Sequence, residues 1–141
     1  MAVVARYLID TSAAARMNIP IVAGRLAEII ESGLVATTAV LDAEALYSAR
    51  SGTEYEQLWR DRQLAYEYLP VNDEHWRTAL QAQRRLAQRG QHRAIGIPDL
   101  LTAVIAAEHG ITVIHYDADF DIAATELDFQ HQWVAERGSI P

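Results

Sequence analysis

The sequence predicts an α/β chain, a three-layer α/β/α sandwich around a central, mainly parallel sheet, with a helical arm attached. Three observations carry that expectation. Short apolar runs rich in β-branched residues alternate with stretches of helical periodicity, the pattern of repeated strand-helix-strand crossovers. At 141 residues and 50% hydrophobic content, the chain can bury one sizeable core. No linker, internal repeat or low-complexity tract divides it, so residues 1–141 are expected to form a single domain.

The first strand is expected in Val3-Val4-Ala5-Arg6-Tyr7-Leu8-Ile9, which ends at Asp10. A short helical start over 12–17 leads to a helix over 21–32, with Leu26, Ile29 and Ile30 on one face and Gly33 as its stop. Leu34-Val35-Ala36 reads as a second strand. In the helix that follows, Val40, Leu41 and Tyr47 trace an apolar stripe that Glu44 shares. Ser51-Gly52-Thr53 breaks it before a second helical segment, 54–65, anchored by Leu58 and Trp59; together they make the arm. Tyr68-Leu69-Pro70-Val71 reads as a third strand, and Asp73 as the cap of a helix running to about residue 88. The loop 90–98 delivers Asp99, in a capping position, to a helix that opens at Leu100. Gly110 follows, then the strand Ile111-Thr112-Val113-Ile114-His115-Tyr116, which ends at Asp117. His131-Gln132-Trp133-Val134 supplies a last edge strand.

Composition narrows the function. With no cysteine there is neither a disulfide framework nor thiolate chemistry. The first residues lack the pattern of a secretory signal, and no apolar stretch approaches the roughly 20 residues that span a bilayer, so a cytoplasmic address and no membrane partner are expected. A net charge of −7 argues against an outwardly basic nucleic-acid binder but leaves room for a local basic site, or for acids neutralised by a divalent cation. All twelve basic residues are arginine, a pattern that codon bias accounts for without function.

Four carboxylates stand where an acid is awkward for the fold. Asp10 and Asp117 end buried strands, where ligand sites of open α/β sheets gather. Glu44 shares an apolar stripe, where an ionised carboxylate costs roughly several kcal/mol unless a cation offsets it. Asp99 opens a helix, a place that a capping role would also explain. Hard divalent cations take oxygen ligands and suit phosphodiester hydrolysis, which needs an activated water and relief of anionic charge. Serine in a nucleophile context, a P-loop and a dinucleotide fingerprint are all missing. The five histidines show no zinc-binding spacing. Asp117 to Asp128 begins like a calcium loop but carries Ile122 where glycine is needed, and a phosphatase reading of Asp117 and Asp119 leaves Glu44 idle.

Four motifs in order resemble those of the PIN-domain ribonucleases, and within them the VapC-type toxins of bacterial type II toxin-antitoxin pairs. Leu8-Ile9-Asp10-Thr11-Ser12 resembles the opening motif, and Glu44 stands at the matching distance on the first long helix. Pro98-Asp99-Leu100-Leu101-Thr102-Ala103 resembles the third motif, and His115-Tyr116-Asp117-Ala118-Asp119-Phe120 the last, with His115 where members often carry Thr. The resemblance implies a PIN-like fold and a Mg²⁺- or Mn²⁺-dependent endoribonuclease that cleaves structured RNA of the tRNA or rRNA class and so inhibits translation. It implies Asp10 and Asp99 as principal metal ligands, with Glu44 and Asp117 completing the set and Asp119 as a further candidate. It also implies a homodimer silenced by a cognate VapB-type antitoxin, and the arm around Tyr55, Leu58, Trp59 and Tyr66 is the expected groove for it. Thr11 and Ser12 are candidates to orient a ligand through their hydroxyls, and His92 and Arg93, close before Asp99, to contact substrate. The alternative is a PIN-like binding or assembly module without catalysis.

Overall fold

The computed structural model describes residues 3–141. Five strands form its sheet: β1 (Tyr7–Ile9), β2 (Val35–Thr37), β3 (Glu67–Tyr68), β4 (Thr112–His115) and β5 (Gln130–Trp133). They are ordered β3-β2-β1-β4-β5, and every neighbouring pair is parallel. From β1 the chain builds outward to β2 and β3, then returns and builds the other way through β4 and β5. The β1/β4 boundary is therefore the topological switch point, where a crevice opens beyond the strands' carboxyl ends.

Seven helices cover the sheet: α1 (Thr11–Ala14), α2 (Pro20–Glu31), α3 (Ala39–Tyr47), α4 (Gly52–Ala65), α5 (Asp73–Ala87), α6 (Ile97–His109) and α7 (Asp119–Ala123). The strands' two-residue period divides the core in two. Leu8, Ala36 and Val113 join a cluster with Ala79, Ala82 and Leu86 of α5 and Leu100 and Ile105 of α6. Their neighbours Ile9, Val35 and Ile114 join a second cluster with Ala13 of α1 and Val22 and Leu26 of α2. Ile29 and Ile30 pack against this second cluster, as the periodicity of α2 requires. The result is the expected three-layer α/β/α sandwich.

Several local expectations change. The first strand is shorter than its apolar run, because the parallel ladder begins only where Tyr7 meets Val35 and Thr112. The third strand lies at Glu67–Tyr68, and Leu69 adds one more bond from its N–H to the Thr37 carbonyl at 2.8 Å before Pro70, which has no N–H to give. Asn72, not Asp73, caps α5: its side chain accepts from the His75 N–H at 3.0 Å, and His75 Nδ1 accepts from the Asn72 N–H at 3.1 Å. Tyr47 is 92% exposed, so the buried stripe of α3 runs instead through Leu41, Asp42 and Leu46.

Asp42 explains how the arm is held. No residue of α4 is fully buried, and Trp59 is 45% exposed rather than an anchor. Arg62 compensates by reaching back to the sheet. Its Nε donates to Asp42 Oδ1 at 2.8 Å and its terminal nitrogen to Thr37 Oγ1 at 3.0 Å, while the Thr37 hydroxyl donates to Asp42 Oδ1 at 2.7 Å. A charged, mutually hydrogen-bonded triad thus fastens a helix none of whose residues is fully buried.

Candidate active site

Each acid reaches the switch point by a different element. Asp10 is the first residue beyond β1 and caps α1; its Oδ2 accepts from the Ser12 N–H at 3.0 Å and from the Ser12 hydroxyl at 2.6 Å. Asp117 lies two residues past β4, and its Oδ1 accepts from the Asp119 N–H at 2.9 Å. Glu44 projects from α3, and the Thr11 hydroxyl approaches its Oε1 at 3.5 Å. Asp99 stands in the first turn of α6.

Asp99 does not cap that helix. Gly96 occupies the cap position without a side-chain bond, and Ile97 and Pro98 form the first helical positions. Proline fits that first turn because its missing N–H has no helical partner there to lose. The helix therefore starts before Asp99 and turns its carboxylate toward the crevice. The capping explanation, the main competitor of a functional one, is thereby removed.

One carboxylate oxygen each from Asp99, Asp117 and Asp119 lies within 4.8 Å of the others. Asp10 and Glu44 adjoin this trio electrostatically. Burial, followed by repulsion from Asp10, Asp117, Glu44 and Asp119, pushes Asp99 up to about 8. Burial also raises Asp10, against the opposing hydrogen bonds from Ser12. Glu44 and Asp119 are raised by burial first, then by Asp10 and Asp117 respectively. Five mutually repelling acids at one place form a site that favours a multivalent cation, and an all-carboxylate donor set suits a hard one. The residues present fit Mg²⁺ or Mn²⁺.

The surroundings hold this cluster in shape. Ser12 Oγ donates to Asp10 and accepts from the Tyr116 N–H at 2.9 Å, so one hydroxyl ties the end of β1 to the end of β4. Thr11 and Ser12 thus touch the acids. His115 is fully buried, stacks on Phe120 at 4.7 Å, and burial and His131 push its pKa down to about 4. His92 and Arg93 are exposed on the loop that leads into α6. Asp42 was not apparent as a structural acid from sequence, because its partner Arg62 is twenty positions away.

Beside the arm, α3 and α4 enclose a groove of about 580 Å³ lined by Ala39, Ala43, Leu46, Tyr55, Trp59 and Tyr68, among others. Leu58 lies elsewhere, with Arg62 in a separate cavity of about 270 Å³, and Tyr66 packs against the core cluster of Ile9 and Val35. Of the four arm residues expected to line a groove, Tyr55 and Trp59 do so; Tyr68 joins them in place of Leu58 and Tyr66.

Comparison with known proteins agrees with this architecture. Residues 7–126 match the PIN domain. Ribonuclease VapC21 of Mycobacterium tuberculosis H37Rv is 40% identical over 134 residues, covering 95% of this chain and 97% of that protein. The crystal structure of VapBC2 from Rickettsia felis, bound to a DNA fragment from its promoter, superimposes with a TM-score of 0.70 over 90% of this chain and 97% of that chain, at 14% identity. VapBC-5 of Mycobacterium tuberculosis, a member of the VapBC family of toxin-antitoxin systems, superimposes with a TM-score of 0.53 at 28% identity, covering 89% and 94%. With a PIN-domain match over residues 7–126 and 40% identity across nearly its whole length, the chain belongs to the VapC ribonuclease family of PIN-domain proteins.

Proposed function

We propose that this chain is a divalent-metal-dependent endoribonuclease acting as the toxin of a VapBC-type pair, cutting structured RNA of the tRNA or rRNA class and so inhibiting translation in the cytoplasm. The observation that carries the reading is the convergence of Asp10, Glu44, Asp99, Asp117 and Asp119 on the switch-point crevice, with Asp99 held near pH 8 by burial and four like charges. A fold has no use for such a cluster, since each member opposes the others' ionisation.

Asp10 and Asp99 would be the principal ligands of the ion, with Asp117 and Glu44 completing the set and Asp119 as a further ligand; the oxygens of Asp99, Asp117 and Asp119 lie within 4.8 Å of one another. A bound Mg²⁺ or Mn²⁺ supplies positive charge against the scissile phosphodiester and acidity to the attacking water. The protein's own residues do the rest. Ser12 fixes the Asp10 carboxylate and the Tyr116 amide in one geometry, and Thr11 orients Glu44. Arg93 and His92, exposed on the loop that leads into α6, are the proposed phosphate contacts, since arginine offers phosphate a bidentate fork.

The apolar groove between α3 and α4 is the proposed seat for a segment of the antitoxin, since an amphipathic helix buries its apolar face in a cleft of this kind. VapBC-5 is itself a toxin-antitoxin assembly. A homodimer of the chain is the proposed quaternary state.

Purified protein incubated with total cellular RNA and Mn²⁺ tests the reading, beside an EDTA control and Asp99→Asn. Discrete fragments that vanish in both controls are expected. Intact RNA with folded, antitoxin-free protein would replace it with the binding-module alternative.

A further inference from the structure

The structure assigns His115 and His131 as positioning residues for the Asp117 limb of the acidic site, acting through the Asp117 main-chain amide. The inference rests on the metal-site reading above and adds two residues to it.

The geometry fixes which ring nitrogen does what. The Asp117 N–H donates to His115 Nδ1 at 3.1 Å, so that nitrogen carries no proton. In the neutral ring the proton must then sit on Nε2, which lies 2.9 Å from His131 Nδ1 and donates to it. His131 on β5 thereby holds the tautomer that His115 needs to accept from Asp117. Packing fixes the ring plane: Phe120 stacks on His115 at 4.7 Å, and Trp133 meets it edge-on at 5.1 Å. The fully buried ring is thus locked by both contacts and polarity.

What this lock controls is a short segment with three amides that are not used in the sheet ladder. Tyr116 N–H goes to Ser12 Oγ, Asp117 N–H to His115 Nδ1, and Asp119 N–H to Asp117 Oδ1. The last bond aims the Asp117 carboxylate, and the middle one fixes the backbone from which that carboxylate projects. Loss of the His115 acceptor leaves a partly buried N–H unpaired and frees the peptide to turn. Outer contacts that orient ligands in this way change metal affinity by about 10–100-fold when removed.

Two substitutions at one position separate acceptor from bulk. His115→Phe keeps the ring in its stack but has no acceptor, whereas His115→Asn places Oδ1 near the site of Nδ1. The measurement is Mn²⁺ affinity of the full chain, read from the signal of unbound Mn²⁺, with melting in EDTA to establish folding. His115→Phe is expected to weaken Mn²⁺ binding at least about tenfold, and His115→Asn to stay within about threefold of the unaltered chain. His131→Phe, which retains His115 but removes its proton acceptor, is expected to fall between them and stands in if His115→Phe does not fold. Unchanged affinity in folded His115→Phe, or equal loss in both His115 variants, overturns the assignment while the metal site stands. Absence of Mn²⁺ binding by the unaltered chain overturns the metal site itself and the assignment with it.

Discussion

Asp99 sits in the first turn of α6, where the helix dipole favours its anion, yet burial and four carboxylates hold its pKa near 8. The sign of the consequence for stability follows from proton counting. Between its ordinary value of 3.8 and about 8, the folded chain holds a proton that the unfolded chain has released. The resulting stabilisation is full below pH 3.8 and gone above about 8, so in EDTA the Asp99 contribution declines as pH rises through that window. Melting temperature against pH for the unaltered chain minus that for Asp99→Asn isolates this contribution; a flat difference would contradict it. Read as a cap, Asp99 could be replaced by Asn with the cap kept, so that activity falls far more than stability. With no cap to preserve, the substitution is expected instead to raise the melting temperature in EDTA at pH 8 by about 3 °C or more, while RNA cleavage falls at least about a hundredfold. Ser12→Ala at the neighbouring limb removes the hydroxyl bond to Asp10, leaving it the Ser12 N–H alone, and frees the Tyr116 amide. Its cost is expected to be about 1–2 kcal/mol in a urea melt, with weaker Mn²⁺ binding beside it.

At the scale of elements, α4 depends on one side chain. Arg62→Ala strands a mostly buried Asp42 carboxylate and is expected to cost about 3 kcal/mol. Amide exchange in α4 should accelerate before the rest of the chain opens, and uniform exchange would speak against the latch. Replacing both partners with Arg62→Met and Asp42→Leu should recover most of that loss, since the desolvated charge disappears with its partner. Individual elements also show where sequence is informative. Asp10 and Asp117 could be placed because apolar strand runs end visibly at them, and Leu26, Ile29 and Ile30 because a helical face repeats locally. Asn72 and Gly96 as caps were obscured by an acid just downstream of each, which made the helices seem to begin later than they do. Asp42 was illegible for another reason: its burial depends on Arg62 and Thr37, which no local period connects to it. The arm's groove was legible in kind but shifted in its lining, because the rotation of α4 is set by the Arg62 anchor rather than by an apolar stripe.

For the molecule as a whole, the proposed cation site would link binding to folding. An ion that binds only the assembled crevice stabilises by mass action, about 2.7 kcal/mol at a free concentration one hundred times the dissociation constant. Addition of Mn²⁺ is therefore expected to raise the melting temperature and to cancel the pH decline assigned to Asp99. A melting curve indifferent to Mn²⁺ at millimolar concentration would count against the site. Order along the chain matters as much as position in space. The crevice at the β1/β4 boundary takes Asp10 and Glu44 from the first half of the chain and Asp99, Asp117 and Asp119 from the second, and its first and fourth strands must be adjacent before any of them meet. A chain still emerging from the ribosome therefore carries no complete site until residue 119 is free to fold.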